Sequence, residues 1–361
     1  MDFTLYSYAL CASLTLMLFF ACRFIFGTLP EKKNIKIYKQ SRSIMGVAML
    51  ILSLNYSIHL FISPRYIDSD LAIYINLSTY FLVSWLFSSA LMHLMVRGYL
   101  SCRRFIRNII YWLIFTASFF FIWISAPDGT PRLVALIVMS AVFVLYCVSL
   151  ASRLFMTMRR LKRMLDSYHS DYIYAYVRWM SIFTYWAIIF GVGQGLFTFI
   201  PSKYVYLWII SAIPFYVYTY IAYKNYYLFY DKVEKVCEET VDDSPAVLLP
   251  QSQDDIIHDR LQKWIADKGF IKSGLTIADL AKDICTNRTY VSSYINNHYN
   301  VSFREWINSL RLEYAKQLLV SNSEMTIADV AQAAGYLSLS YFTKTFTLSE
   351  GTTPGKWRRL Q

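Results

Sequence analysis

The sequence lacks the residue groupings on which most enzymes and metalloproteins depend. Its six cysteines and five histidines are scattered, and no pair has the spacing of a metal site or a redox motif. The 12 glycines form no phosphate-binding loop, and no kinase motif or other catalytic arrangement is present. We therefore predict that the chain is not an enzyme, uses no cofactor or metal, and keeps its cysteines reduced.

Charged residues are scarce and unevenly distributed. They make up 16% of the 361 residues, against 56% hydrophobic residues. Residues 1–230 contain 20 Lys and Arg but 7 Asp and Glu, whereas residues 256–361 contain 13 and 9. Residues 231–255 are acidic, with 2 against 8, and form either a signal-transmitting tether or a solvated spacer. We predict three parts: an apolar domain (1–230), an acidic linker (231–255) and a soluble domain (256–361).

Long apolar runs dominate the first part. About 20 mostly apolar residues are enough to cross a bilayer as a helix. Seven runs reach or approach this length: 5–26, 43–62, 71–96, 109–125, 133–154, 180–200 and 205–223. No basic residue precedes the first run, so we expect an uncleaved span and not a signal peptide. The sequence predicts a bundle of seven transmembrane helices.

The loops between these runs alternate in charge. The basic loops, after the first, third and fifth runs, carry Lys32, Lys33, Lys36, Lys39 and Arg42, then Arg97, Arg103, Arg104 and Arg107, then Arg159, Arg160, Lys162, Arg163 and Arg178. The opposite loops carry only Arg65, Arg132 and Lys203. Positive loops stay in the cytoplasm, which predicts a multi-pass protein of the cytoplasmic membrane with its N-terminus outside and its C-terminus inside.

A few polar residues interrupt the apolar runs. Asn55, His59, His93 and Gln194 are candidates for lining a ligand site, or else for hydrogen bonding to neighbouring helices. The longest outer loop, about 63–70, is too short for a sensor domain, so we expect a small-molecule or lipid signal within the bundle, or a partner protein. Gly191, Gly193 and Gly195 predict close helix packing, and Pro214 predicts a kink in the seventh span.

The soluble domain contains an internal repeat. Thr-Ile-Ala-Asp-Leu-Ala at 276–281 recurs as Thr-Ile-Ala-Asp-Val-Ala at 326–331, and in each copy Thr and Asp have the spacing of a capping box. A turn and a second helix follow each copy. Asn287 is the expected cap of the first such helix, and Gly335 is the expected turn residue before the second. The repeat predicts two helix-turn-helix units.

A single amphipathic helix is predicted to connect the two units. Apolar residues recur at helical spacing from Phe303 to Leu318, and some 18 residues at 1.5 Å each give a length of about 27 Å. This is close to the roughly 34 Å between successive major grooves on one face of DNA. The outward residues of the first unit, which are suited to base edges, are Arg288, Thr289, Ser292, Ser293 and Asn296.

Residues 257–360 resemble the two-unit helix-turn-helix domain of AraC-type transcription regulators. The resembling stretches are 311–319, 327–331 with Gly335 and Tyr336, 340–342 with Phe346, and 351–354. Cys285 and Asn300 stand where the family usually has Gly, and Ile295 where it usually has Phe. The resemblance implies double-stranded DNA as partner and places Thr289, Ser292, Ser293, Leu339, Ser340, Tyr341 and Lys344 at the groove. Arg288, Arg304 and Arg311 are candidates for phosphate contacts.

Together these features predict an all-α protein, with a seven-helix transmembrane bundle followed by a soluble two-unit helix-turn-helix domain. The predicted function is a bacterial membrane-anchored transcription regulator that couples a membrane or envelope signal to promoter binding, with a homodimer as a candidate form. The alternatives are a multi-span transporter or channel with a regulatory helix-turn-helix domain, and a regulator whose spans serve only as an anchor.

Overall fold

The computed structural model describes residues 2–361 except positions 31, 33, 34, 97, 126, 128, 172, 173, 202, 203 and 240–250. Lys33, Arg97 and Lys203 of the loop-charge argument and the middle of the acidic linker therefore lie outside the described residues. Within the described ranges the regular elements are helices, and an isolated antiparallel bridge joins His169 to Thr276. The predicted all-α class is confirmed.

The chain divides into two compact units. Unit 1 comprises Met1–Arg159 and Val177–Asp231, and unit 2 comprises Arg160–Tyr176 and Lys232–Gln361. Unit 2 therefore includes not only the C-terminal part of the chain but also a short segment that precedes the sixth apolar run. No pattern in the sequence indicated that this short segment belongs to unit 2.

Nine helices of the described residues begin in unit 1 or cross its boundary. They are α1 (Asp2–Phe26), α2 (Lys36–Phe61), α3 (Pro64–Ile67), α4 (Ser69–Met95), α5 (Cys102–Ser125), α6 (Thr130–Tyr168), α7 (Tyr174–Phe197), α8 (Val205–Ser211) and α9 (Ile213–Glu239). Seven helical segments are long and apolar enough to cross a membrane, with α8 and α9 together forming the last. Their number and order match the seven predicted runs.

Apolar side chains in unit 1 lie on both the inside and the outside. Met17, Met45 and Leu91 are fully buried, whereas Phe121 and Leu145 are among many large apolar residues that are exposed. Water would make such an apolar surface unfavourable, whereas lipid chains would not. This distribution is the one that a lipid-facing bundle requires.

Two local features of the sixth and seventh apolar segments agree with the sequence prediction. A Cβ at Gly191, Gly193 or Gly195 would clash with Cys147, Trp208 or Val144, respectively, so these glycines permit close helix packing. The seventh apolar segment is interrupted at Ala212, where α8 ends and α9 begins. Pro214 lies just beyond the interruption, and the lack of an N–H on proline accounts for a broken helical hydrogen-bond pattern there.

Unit 2 contains seven further helices among its described residues. They are α10 (Gln251–Ala266), α11 (Ile277–Asp283), α12 (Arg288–Tyr299), α13 (Phe303–Ser321), α14 (Ile327–Ala333), α15 (Leu339–Glu350) and α16 (Pro354–Leu360), with a short 3₁₀ helix at Gly269–Ile271. Because α9 continues to Glu239 and α10 begins at Gln251, both ends of the predicted linker are helical.

Candidate nucleic-acid interface

The first helix-turn-helix unit consists of α11 and α12. Thr276 Oγ1 accepts from the Asp279 backbone N–H at 3.1 Å, and the Asp279 carboxylate accepts from the Thr276 N–H at 3.0 Å, so the predicted capping box is present. The Asn287 side chain caps α12 by accepting from the Tyr290 N–H at 2.9 Å. These caps determine where each helix begins and therefore which side chains of α12 point toward solvent.

The turn between α11 and α12 is built on a residue with a side chain. Cys285 has φ +53°, in the left-handed region where glycine is usual. The Arg260 guanidinium donates to the carbonyl oxygens of Ile284 at 3.0 Å and Cys285 at 2.8 Å, which stabilises the turn from outside. Arg260 lies on α10, and the sequence pattern of the unit gave no indication of its role.

The second unit, α14 and α15, repeats this arrangement. Thr326 and Asp329 form the same capping box, and Ser338 caps α15. The turn residue Gly335 has φ +87°, and a Cβ at this position would clash with the Ile271 carbonyl group. Phe342 and Phe346 are fully buried. Their burial turns the opposite face of α15 outward.

The connector α13 has 19 residues, in agreement with the predicted single helix. Ser302 and Glu305 form a third capping box at its start. The connector packs against both units, since its Leu312, Ala315 and Leu319 share a core with Val330 and Phe346 of the second unit, and it also contacts α12. Both outer helices contact this connector, α12 by packing against α13 and α15 through the hydrogen bond between Asn308 and Tyr341.

The predicted groove residues of α15 form an accessible surface. Leu339, Ser340 and Lys344 are exposed, and Tyr341 is half-buried. The Asn308 side-chain amide of the connector donates to the Tyr341 hydroxyl at 2.9 Å. Lys344, Tyr341, Asn308 and Arg304 line one open cleft of about 410 Å³. Glu305 also lines the cleft, so two cations, one carboxylate and a hydroxyl are available there for contacts with a nucleic-acid backbone.

Known proteins resemble the C-terminal part of the chain. Residues 280–360 match the family model described as a helix-turn-helix domain. HTH-type transcriptional regulator ExsA of Pseudomonas aeruginosa is 37% identical over 83 residues, which cover 23% of this chain and 30% of that protein. Virulence regulon transcriptional activator VirF of Yersinia enterocolitica is 34% identical over 100 residues, which cover 28% of this chain and 36% of that protein.

The C-terminal part of this chain is an AraC-type helix-turn-helix domain. The chain spans about a third of the length of these two curated relatives. A solved structure, the C-terminal domain of AraT, a response regulator from Geobacillus stearothermophilus, is 29% identical and covers 29% of this chain and 85% of its own, with a TM-score of 0.27. The residues that the family model matches, 280–360, lie in unit 2.

The groove residues of α12 in the AraC-type domain are only partly as predicted. Asn296 is exposed, and Arg288, Thr289 and Ser292 are half-buried. Ser293 was predicted to point outward but is 6% exposed, so that prediction was wrong. The reason is that α12 packs against α10, α11 and α13, and these three helices bury more than one narrow face of α12.

Arg311 is a second correction. It was a candidate for phosphate contact, but its side chain is fully buried. Its guanidinium donates to the carbonyl oxygens of Phe270 at 2.9 Å and Lys272 at 2.8 Å and pairs with Asp171 at 3.3 Å. A guanidinium held in this way ties the connector to the segment between α10 and α11 and does not face an external phosphate.

Two carboxylates of unit 2 were missed at the sequence level. Asp166 Oδ2 lies 3.3 Å from Arg304 Nη2, and Asp171 pairs with Arg311. Both acids belong to residues 166–171, here called the α6 tail, which are the last turn of α6 and the three residues after it. Their position is the sequence feature that could have indicated a role, because they are two of only seven acids in residues 1–230 and they adjoin a strongly basic loop.

The four ligand candidates of unit 1 do not form one site. The Asn55 amide donates to Asn76 Oδ1 at 3.0 Å, and His59 Nε2 lies 2.8 Å from the same oxygen. His93 Nε2 instead lies 3.0 Å from Gln40 Oε1. Three of the four candidates thus have partners on neighbouring helices, which was the alternative interpretation of these residues.

Gln194 has a different environment from the other three candidates. It lines a cavity of about 60 Å³ whose other lining residues are mostly apolar, such as Phe87, Phe183 and Phe215. Among the described residues no cluster of three or more His, Cys, Asp or Glu is arranged to hold a metal ion.

Proposed function

We propose that this chain is a transcription regulator of the bacterial cytoplasmic membrane that binds specific DNA sequences through its AraC-type domain. The observation that carries the proposal is the pair of helices α12 and α15, each of which follows a helix that begins with a capping box and presents exposed or half-exposed polar residues. Two such helices in one domain suit insertion into successive major grooves.

The proposal assigns different tasks to the surface residues. Ser340, Ser292 and Asn296 read base edges, because short polar side chains donate and accept hydrogen bonds in the groove. Arg288 and Lys344 contact phosphates, which adds affinity without sequence preference. Arg304 is a further phosphate contact once its carboxylate partner is displaced.

The membrane half of the chain holds the regulator at the membrane and receives the signal. Seven apolar helical segments and the charge of their loops support a bundle in the cytoplasmic membrane with the AraC-type domain in the cytoplasm. A lipid or small molecule that alters packing or dimerisation of the bundle then changes how the domain engages a promoter. Gln194 and its cavity are the first position at which we expect such a ligand.

The test uses the full chain in lipid nanodiscs with fragments of the host genome, over a range of salt concentrations. We expect enrichment of one sequence motif. Ser340→Ala should relax the preference at particular base pairs. Arg288→Gln should weaken binding about equally for all sequences and reduce the slope of log K against log salt by about 0.9. Lys263→Gln, on the exposed side of α10, is the matched control and should change neither the affinity nor the slope of log K against log salt.

A transporter or channel is the second candidate function. The interrupted seventh span favours it, because broken helices line substrate sites in many transporters, and Ala212 at the break lines the cavity beside Gln194. A cavity of about 60 Å³ suits the binding of a small ligand or part of one better than the passage of a solute. The absence of sequence enrichment, together with solute flux into proteoliposomes, would replace the regulator with this alternative.

A further inference from the structure

The α6 tail contacts the connector through two ion pairs. Arg304 and Asp166 are 3.3 Å apart, and each side chain is 14% exposed. Arg311 and Asp171 are also 3.3 Å apart, with exposures of 0% and 10%. Removing a charge from water is unfavourable unless a partner compensates it, so these acids are matched to the arginines that they meet. Residues 304 and 311 lie two turns apart on α13, so the two pairs follow the helix axis.

The backbone of the α6 tail also pairs with the first helix-turn-helix unit. The Ser170 N–H donates to the Leu275 carbonyl oxygen at 3.0 Å, and His169 forms an antiparallel bridge with Thr276. Thr276 is the capping residue of α11. The α6 tail therefore contacts the two places from which α12 is positioned, namely the start of α11 and the first half of the connector.

The Asp166 carboxylate pairs with an arginine that is a candidate for phosphate contact. Its partner Arg304 lines the open cleft that also contains Lys344 and Tyr341 of α15. A carboxylate and a phosphate make the same kind of charge-assisted hydrogen bond to a guanidinium. While Asp166 pairs with Arg304, the charge of this guanidinium is compensated and attracts a DNA phosphate less strongly.

We propose that the α6 tail is an intramolecular competitor of DNA, in which Asp166 occupies Arg304 in place of a phosphate. This inference rests on the proposed function. Helix α6 is continuous from Thr130 to Tyr168, so a movement of its apolar part reaches Asp166 without an intervening hinge. A signal that shifts this helix removes the α6 tail from the connector and frees Arg304 for DNA.

The first experiment compares DNA affinity in the full chain, again in nanodiscs with a genome-selected duplex. Asp166→Asn keeps the shape but removes the charge. We expect it to tighten binding roughly threefold or more at 0.15 M salt and to steepen the slope of log K against log salt by about 0.9, the value for one added phosphate contact. Adding Arg304→Gln should cancel both changes. Asp259→Asn, an exposed acid of α10, controls for the change in net charge.

The second experiment measures hydrogen exchange in the wild-type chain and requires no substitution. The Ser170 amide should be protected without DNA and should lose protection when the duplex binds, because a contact with a merely structural role would persist. Unchanged protection, or an Asp166→Asn slope equal to that of Asp259→Asn while all proteins bind DNA, overturns the competition and leaves the proposed function intact. Failure of every variant to bind any duplex overturns the proposed function itself.

Discussion

At the scale of single residues, the two turns of the AraC-type domain solve one backbone problem with different residues. Both Cys285 and Gly335 have positive φ, at +53° and +87°. Glycine adopts this conformation without penalty, whereas a residue with a Cβ is disfavoured by roughly 1–2 kcal/mol. The Arg260 hydrogen bonds help the first turn to tolerate that cost.

Cys285→Gly should stabilise the domain. Removing the Cβ relieves the left-handed strain, and the extra freedom of glycine in the unfolded chain offsets part of the gain, which leaves about 0.5–1 kcal/mol. Hydrogen-exchange protection of α11 and α12 amides in the full chain measures the change. Cys285→Ala keeps the Cβ and should be close to neutral. An equal effect of both substitutions would show that backbone strain is not the cause.

Gly335→Ala should destabilise the second unit by about 2–4 kcal/mol. The left-handed backbone accounts for part of this, and the clash of the new Cβ with the Ile271 carbonyl group adds the rest. Gly351 is the matched control, because its φ is +72° but a Cβ there would meet no atom within 4 Å. Gly351→Ala should therefore cost only about 1–2 kcal/mol. Hydrogen-exchange protection of the α14 and α15 amides measures the loss of stability in both variants. Equal losses of stability would contradict the steric explanation.

At the scale of helices, the two adjacent serines of α12 should behave differently. Ser292 is half-buried and faces the predicted groove side, whereas Ser293 is buried. Ser292→Ala should alter base preference at one or two positions of the selected duplex, since it removes a hydrogen-bonding group. Ser293→Ala should leave the base preference unchanged. Competition binding against single-base variants of the duplex distinguishes them, and a change of preference in Ser293→Ala alone would restore the original sequence prediction.

The stability that the capping box contributes at the start of the connector should depend on pH. The Ser302 backbone and hydroxyl hydrogen bonds hold the Glu305 pKa below its usual 4.5. A lowered pKa in the folded state means that the carboxylate stabilises the fold at neutral pH. This contribution is lost as the pH falls through the folded-state value. Urea unfolding of unit 2 between pH 6 and pH 3 should show this loss in the wild type and a weaker one in Glu305→Gln, whose neutral side chain still accepts the hydrogen bonds. Identical pH profiles would exclude the capping box as the source.

At the scale of the whole molecule, native cysteines offer a test of membrane orientation. Cys102 at the start of α5 and Cys285 of the AraC-type domain are free and exposed, and both should lie in the cytoplasm. A membrane-impermeant maleimide should label them only after the cells are permeabilised. Ser69→Cys, at an exposed position that begins α4, should be labelled in intact cells. Labelling of Cys285 in intact cells would show that the orientation is the opposite of the predicted one.

Much of this molecule could be predicted from its sequence because the relevant signals are local. Apolar runs of bilayer length, capping boxes three residues wide and a helical spacing of buried residues each lie within one stretch of chain. They yielded the seven apolar helical segments, the paired units and the single connector. The same local reasoning placed the break near Pro214 and the close packing at Gly191, Gly193 and Gly195.

The tertiary structure alone decided which polar groups are available and which are occupied. Ser293 is buried because three other helices surround α12, and no periodicity within α12 carries that information. Arg304 and Arg311 resemble surface cations in the sequence, but Asp166 and Asp171, some 140 residues earlier, neutralise them. An ion pair between distant segments depends on how the chain folds back on itself, and charge acts through space without leaving a pattern along the sequence.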